Sequence, residues 1–201
     1  LGHPGITGNA NVADADADPR LIAADLVSQA EHDEQASAVL VTDSPQLADR
    51  VAEEVARQAG ATRHATRVAA ALDGPQSAIV LVDDRAMATA FSNAYAPEHL
   101  ELHLEDAEDA ADSFTSAGAV FVGDHTPVSL GDYMAGSNHV LPTGGQARYA
   151  PGLGAYTFLR PQQVISYDRA ALAEVREGVV ALAETEVLPA HGEAIEARFT
   201  A

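Results

Sequence analysis

The chain has 201 residues, 47% of them hydrophobic, and carries 11 basic against 30 acidic residues for a formal net charge of −19. That length suits one domain with a sizeable core, or one domain and a small appendage, and so large an acid excess repels phosphate backbones and excludes nucleic acid as an expected partner. With no cysteine, disulfides and thiolate metal sites are excluded, so any metal has to be held by His, Asp, Glu or side-chain amides. Every basic residue is Arg and there is no Lys. Abundant acid without Lys reads as adaptation to a high-salt, halophilic cytoplasm, where screening relieves self-repulsion. No apolar run approaches a membrane span and the start has no basic-then-apolar signal segment, so no membrane partner is expected and the chain reads as cytoplasmic.

Residues 1–17 are Gly- and Asn-rich and then alternate Ala with Asp, which reads as a loop or frayed terminus. Asp18-Pro19 is a helix start, an acceptor at the N-cap followed by Pro at the first helical position. Leu21, Ile22, Leu26, Gln29 and His32 follow at helical spacing, which makes Gln29 and His32 neighbours on one face. Taken alone, that pair reads as a surface Gln and a His⁺ favoured by the helix dipole. Residues 37–42 form a short buried strand. Asp43 or Ser44 caps the next helix, which runs to about 58 with Leu47, Val51 and Val55 inward. A second buried strand is expected at 78–82, followed by a helix from Asp84 to about 93. This alternation, with continuous apolar strands, predicts a parallel sheet covered by helices. No G-x-G-x-x-G follows either strand, so these elements carry no dinucleotide fingerprint.

Pro97 ends the preceding helix and is expected to push Ala96 into an extended conformation. Glu98 and His99 then stand side by side at the entry to a strand. They offer two bases near neutral pH, the imidazole by its ordinary pKa and the carboxylate if burial raises it. The alternative is an exposed acid–base pair at a strand edge. His103, among acids, reads as surface. An acidic helix is expected over 106–116 and a strand over 119–123. The stretch Gly131-Asp132-Tyr133-Met134-Ala135-Gly136-Ser137-Asn138-His139-Val140-Leu141-Pro142-Thr143 is too rich in Gly, Asn and Pro for an ordinary helix or central strand. It sets Asp132 and His139 seven residues apart, in a loop that suits a site and a turn equally. Beyond it the chain reads as loop to about 163, then a periodic helix over 169–187 and another over 188–199 started by Pro189, with Glu186 and His191 at their junction. No internal repeat and no long linker is seen.

Four features in order, Ser28-Gln29-Ala30-Glu31-His32, Pro97-Glu98-His99-Leu100, the 131–143 stretch, and Glu186 five residues before His191, together resemble the histidinol dehydrogenase family. The resemblance runs from about Ala13 to the end of the chain. It implies a zinc-dependent, NAD-linked oxidation of histidinol through the aldehyde to histidine, in histidine biosynthesis. It implies one zinc held by Gln29, His32, Asp132 and His191, the last supplied by the other subunit of a homodimer. It implies that His99 takes the hydroxyl proton, that Glu98 activates water, and that His139 and Glu186 contact substrate, with Thr7 matching the family's hydroxyl residue. Family members are about twice this length, and the contacts to NAD are expected in an N-terminal half that is absent here. Gly8 and Val128 stand where relatives carry Glu. Two alternatives are a metal-binding fragment without turnover, because the NAD-binding half is missing, and a zinc hydrolase in which Glu98 activates water without NAD. The expected architecture is α/β, an incomplete Rossmann-like parallel sheet over residues 1–154 carrying most of the motifs. A small C-terminal helical segment, 155–201, would contribute to the dimer site.

Overall fold

The structure is a computed structural model that describes residues 7–200. One compact unit runs to Phe158 and a second begins at Leu159. The first is a five-stranded, all-parallel sheet flanked by helices, as the alternation of elements predicts. In chain order its elements are β1 (Gly8–Ala13), α1 (Pro19–Ala30), β2 (Ser37–Thr42), α2 (Pro45–Ala59), α3 (Ala65–Leu72), β3 (Ala78–Leu81), α4 (Arg85–Tyr95), β4 (His99–His103), α5 (Ala107–Ala110), β5 (Ala119–Val122) and α6 (Val128–Tyr133). The strand order is β3-β2-β1-β4-β5, with every pairing parallel.

The sequence expectation fails first at β1. The stretch read as a loop is the central strand and is buried along its length; its portion before Thr7 lies outside the described residues. Ala10 and Val12 pack with Val39, Val41, Leu100 and Leu102 against Ala88 of α4 and Ala107 of α5. Asn9 and Asn11 point to the opposite face, where their amides pair with side chains of β4, so a polar strand can be central once its polar groups are satisfied. On that second face Ala38 and Leu40 pack under Ile22 and Leu26 of α1 and Leu47 and Val51 of α2. The helix starts are capped as expected: Asp18 accepts the Arg20 N–H, Ser44 the Leu47 N–H and Asp84 the Met87 N–H.

Other local expectations are corrected. β3 is an exposed edge strand rather than a buried one, with Leu81 55% exposed. Ala96 is not extended. It takes φ 54°, ψ 66° and closes α4 in the left-handed conformation, its N–H donating to the Ser92 carbonyl, a geometry that helix C-caps adopt. α1 stops at Ala30, so His32 lies in the turn beyond it and does not share a helix face with Gln29. The acidic helix is one turn, α5, continued by a 3₁₀ turn over Ala111–Ser113. Val128–Tyr133, partly read as loop, is the short helix α6.

The second unit holds α7 (Arg169–Thr185) and α8 (Pro189–Glu196). Asp168 caps α7 by accepting the Ala171 N–H. Arg176 pairs with Glu196, and the Arg169 and Arg176 guanidiniums lie over the Phe199 ring at 5.1 and 4.8 Å, cation–π contacts that tie the two helices.

Candidate functional site

The parallel register places Asn9 beside His99 and Asn11 beside Glu101, and pairs β5 with β4 so that Phe121 lies beside Glu101. Partners in a parallel ladder face the same side, so His99, Glu101 and His103 alternate with Leu100 and Leu102 and join Asn9, Asn11 and Phe121 beneath α1. Gln29 is near the end of α1, Thr7 precedes β1, and Glu98 and His99 open β4. This group therefore gathers at the amino edge of the sheet. Open α/β sheets usually bind ligands at the carboxyl edge.

Around His99 the geometry is tight. His99 is buried, with its ring 6.0 Å from and tilted against that of Phe121. Burial lowers its pKa; the charges of Glu98 and Asp132 push it back up and that of His32 adds to the lowering. The structure thus brings Glu98, Asp132 and His32 within electrostatic reach of one imidazole, which stays neutral at pH 7 and able to accept a proton. Gln29 is buried and donates its amide N–H to Thr7 Oγ1 at 3.2 Å. That bond turns Gln29 Oε1 the other way, and Gln29 Oε1, Glu98 Oε2 and His99 Nδ1 are all buried without a hydrogen-bond partner. Unpaired buried polar atoms are costly and rare. Three of them on residues at one sheet edge mark a place built to receive a polar or charged group.

The remaining expected residues, His32, His139, Glu186 and His191, are exposed. His32 is exposed in the turn after α1 and His139 is exposed on the loop after α6. Glu186 closes α7 and His191 lies in α8, both exposed in the second unit.

A second cluster was not foreseen. Glu101 is 2% exposed; its Oε2 accepts from Asn9 Nδ2 at 2.8 Å and its Oε1 from the Val128 N–H at 3.0 Å. His103, read as surface, is buried. Its Nε2 lies 3.1 Å from Asn11 Oδ1 and 3.6 Å from Asp25 Oδ2, and its Nδ1 lies 3.5 Å from Asp124 Oδ1. Asp25, Glu101 and His103 each present one ligand atom, all within 4.8 Å of one another, so this Asp/Glu/His set has the donors and the spacing to hold a metal ion. Burial, followed by the nearby Asp25 charge, raises the Glu101 pKa to about 7 against the bonds from Asn9 and Val128. Burial works against a charged His103 ring, but Asp25, Glu101 and Asp124 outweigh it and raise its pKa. The available signal was a matched alternation: polar residues at 9, 11, 99, 101 and 103 with apolar ones between.

A family profile described as histidinol dehydrogenase matches residues 5–199. The histidinol dehydrogenase of Leifsonia xyli subsp. xyli is 65% identical over 188 residues, which are 94% of this chain and 43% of that protein. The histidinol dehydrogenase of Thermobifida fusca is 59% identical over 195 residues, 97% of this chain and 44% of that protein. The crystal structure of histidinol dehydrogenase from Elizabethkingia anophelis superposes with a TM-score of 0.84 at 35% identity, over 97% of this chain and 45% of that one. The chain spans less than half the length of these relatives.

Proposed function

The chain belongs to the histidinol dehydrogenase family, and from that premise we propose that it carries the metal and proton-transfer part of the NAD-linked, two-step oxidation of histidinol to histidine. The observation that carries this reading is the set of three orphaned polar atoms, Gln29 Oε1, Glu98 Oε2 and His99 Nδ1. Zinc fits the donor set of Gln29, His32 and Asp132, with His191 contributed by a second copy of the chain. When bound, zinc would act as a Lewis acid that fixes the amino and imidazole nitrogens of the substrate. Thr7 holds the Gln29 amide so that oxygen is the atom offered.

His99, neutral in its buried setting, takes the proton of the substrate hydroxyl as hydride leaves the carbinol carbon for NAD⁺. Glu98 then takes a proton from the water that adds to the aldehyde, and a second hydride passes to a second NAD⁺, leaving the carboxylate of histidine. His139 and Glu186 bind substrate, Glu186 across a homodimer interface. No residue of this chain is assigned to NAD. Val164, Ile165, Leu182 and Val187 are exposed in the second unit and are the apolar side chains this reading offers to a second copy. The amino edge of the sheet, residues 1–154, supplies the reacting groups, and the helical segment from 155 supplies the shared ones.

A second reading puts the ion at Asp25, Glu101 and His103, favoured by their 4.8 Å grouping. Against it, both Glu101 oxygens already accept hydrogen bonds, and the raised His103 pKa favours a protonated ring, whereas a metal-bound imidazole must be neutral.

Calorimetric titration of the zinc-loaded chain with histidinol tests the proposal. Binding that disappears with chelator and weakens in His99→Ala is the expected result. Binding indifferent to zinc and to His99 contradicts it, and ester or amide cleavage without NAD⁺ would point to a hydrolase instead.

A further inference from the structure

We propose that Glu101, which takes no part in the chemistry above, is a positioning residue that sets α6, and with it Asp132, by tying the start of that helix to the centre of the sheet. The inference rests on the reading of Asp132 as a metal ligand and deepens it.

α6 spans six residues, far below the roughly 12–15 that an isolated helix needs to persist in water. Pro127 precedes it, and its N-cap makes no side-chain bond. Its placement therefore has to come from contacts with the sheet. Two are present. Gly131 is buried against Phe121, so closely that a Cβ there would meet ring carbon Cε1 at 2.5 Å. At the other end, the Val128 N–H donates to Glu101 Oε1 at 3.0 Å. The apolar contact is non-directional, whereas the hydrogen bond ties the first residue of the helix to one oxygen. The Glu101 carboxylate is itself held, because its second oxygen accepts from Asn9 on β1. Asn9 in turn takes a hydrogen bond from Asn11 at 3.4 Å.

The anchor and its targets share elements. Glu101 and His99 are two residues apart on the same face of β4, and Asp132 is four residues along α6 from Val128. A carboxylate at the middle of β4 thus fixes the start of the short helix that carries Asp132. Burying a carboxylate at this depth works against the fold, and an apolar side chain of similar size would remove that cost. The bond to Val128 is what Glu101 supplies and an apolar residue cannot.

The test compares the wild-type chain with Glu101→Leu, Glu101→Gln and Asp132→Ala, reading thermal unfolding, zinc affinity by chelator competition, and amide hydrogen exchange at Val128–Tyr133. Glu101→Leu is expected to unfold at an equal or higher temperature while losing exchange protection in α6 and binding zinc about 10–100-fold more weakly. Glu101→Gln keeps an acceptor for Val128 once the Asn9 amide turns over, and should restore most of the protection and affinity. A merely structural role would move the unfolding temperature and the protection of the whole sheet together. Wild-type protection of α6 in a folded Glu101→Leu chain overturns the proposal, whatever happens to zinc. If Asp132→Ala leaves zinc binding unchanged, the metal reading has failed instead, and the exchange at α6 still decides whether Glu101 positions the helix.

Discussion

At the residue scale the site combines groups of opposite legibility. Gln29 and His191 stand out only as members of ordered motifs, whereas the Glu98–His99 pair and Asp132 in its Gly-rich stretch are candidates on their own neighbourhood, each beside a purely structural alternative. The alternation that holds Glu101 and His103 was visible, but it pointed the wrong way, because polar residues alternating with Leu on a strand ordinarily describe a solvated face. Here that face is buried under α1, and the matching Asn9 and Asn11 on the next strand satisfy it. This buried pair has a pH signature. Glu101 titrates near 7 in the fold, above its ordinary 4.5, so its protonated form is favoured by folding. Its contribution is complete below about 4.5 and is lost as pH rises through about 7. His103, with its pKa raised by Asp25, Glu101 and Asp124, likewise contributes fully below its unfolded pKa and loses that contribution as pH rises through the folded value. The Tm of the wild-type chain should therefore fall as pH rises through neutrality. Glu101→Gln should flatten that fall by up to about 3 kcal/mol at pH 8, the equivalent of its pKa displacement. A parallel fall in the variant, measured by calorimetry across the range, contradicts the assignment.

At the scale of elements, strands and helices with strong apolar periodicity were legible: β2, α2, α4, α7 and the caps Asp18 and Asp84 follow from composition and spacing. β1 was not. Its Gly and Asn content argues for a loop, and only the partner groups on β4, ninety residues away, reverse that preference. β3 was legible as a strand but not as an edge, since strand order is a property of the whole sheet. α6 was hidden by its Gly, yet Gly131 is what permits its close seat on Phe121. Gly131→Ala should accordingly cost about 1–3 kcal/mol through overpacking, seen in chemical denaturation, with zinc affinity reduced because the helix carrying Asp132 must lift off the ring. An unchanged midpoint would mean that α6 is not seated where the structure has it.

For the whole molecule, a parallel α/β sheet carries Gln29, Glu98 and His99 at its amino edge, and a helical segment follows it in the chain. The general architecture was readable because continuous apolar strands alternating with helices leave few alternatives. The edge at which Gln29, Glu98 and His99 gather was not, because it depends on α1 returning Gln29 to the start of β1. The zinc site proposed at Gln29, His32 and Asp132 competes with the Asp25–Glu101–His103 grouping, which makes the decisive measurement simple. Zinc content of the purified chain would be determined for the wild type beside His32→Ala, Asp132→Ala and Asp25→Asn. One zinc per chain, lost in the first two variants and retained in Asp25→Asn, is the predicted result. Zinc that survives His32→Ala and Asp132→Ala but disappears in Asp25→Asn would place the ion in the Glu101–His103 cluster and contradict the account.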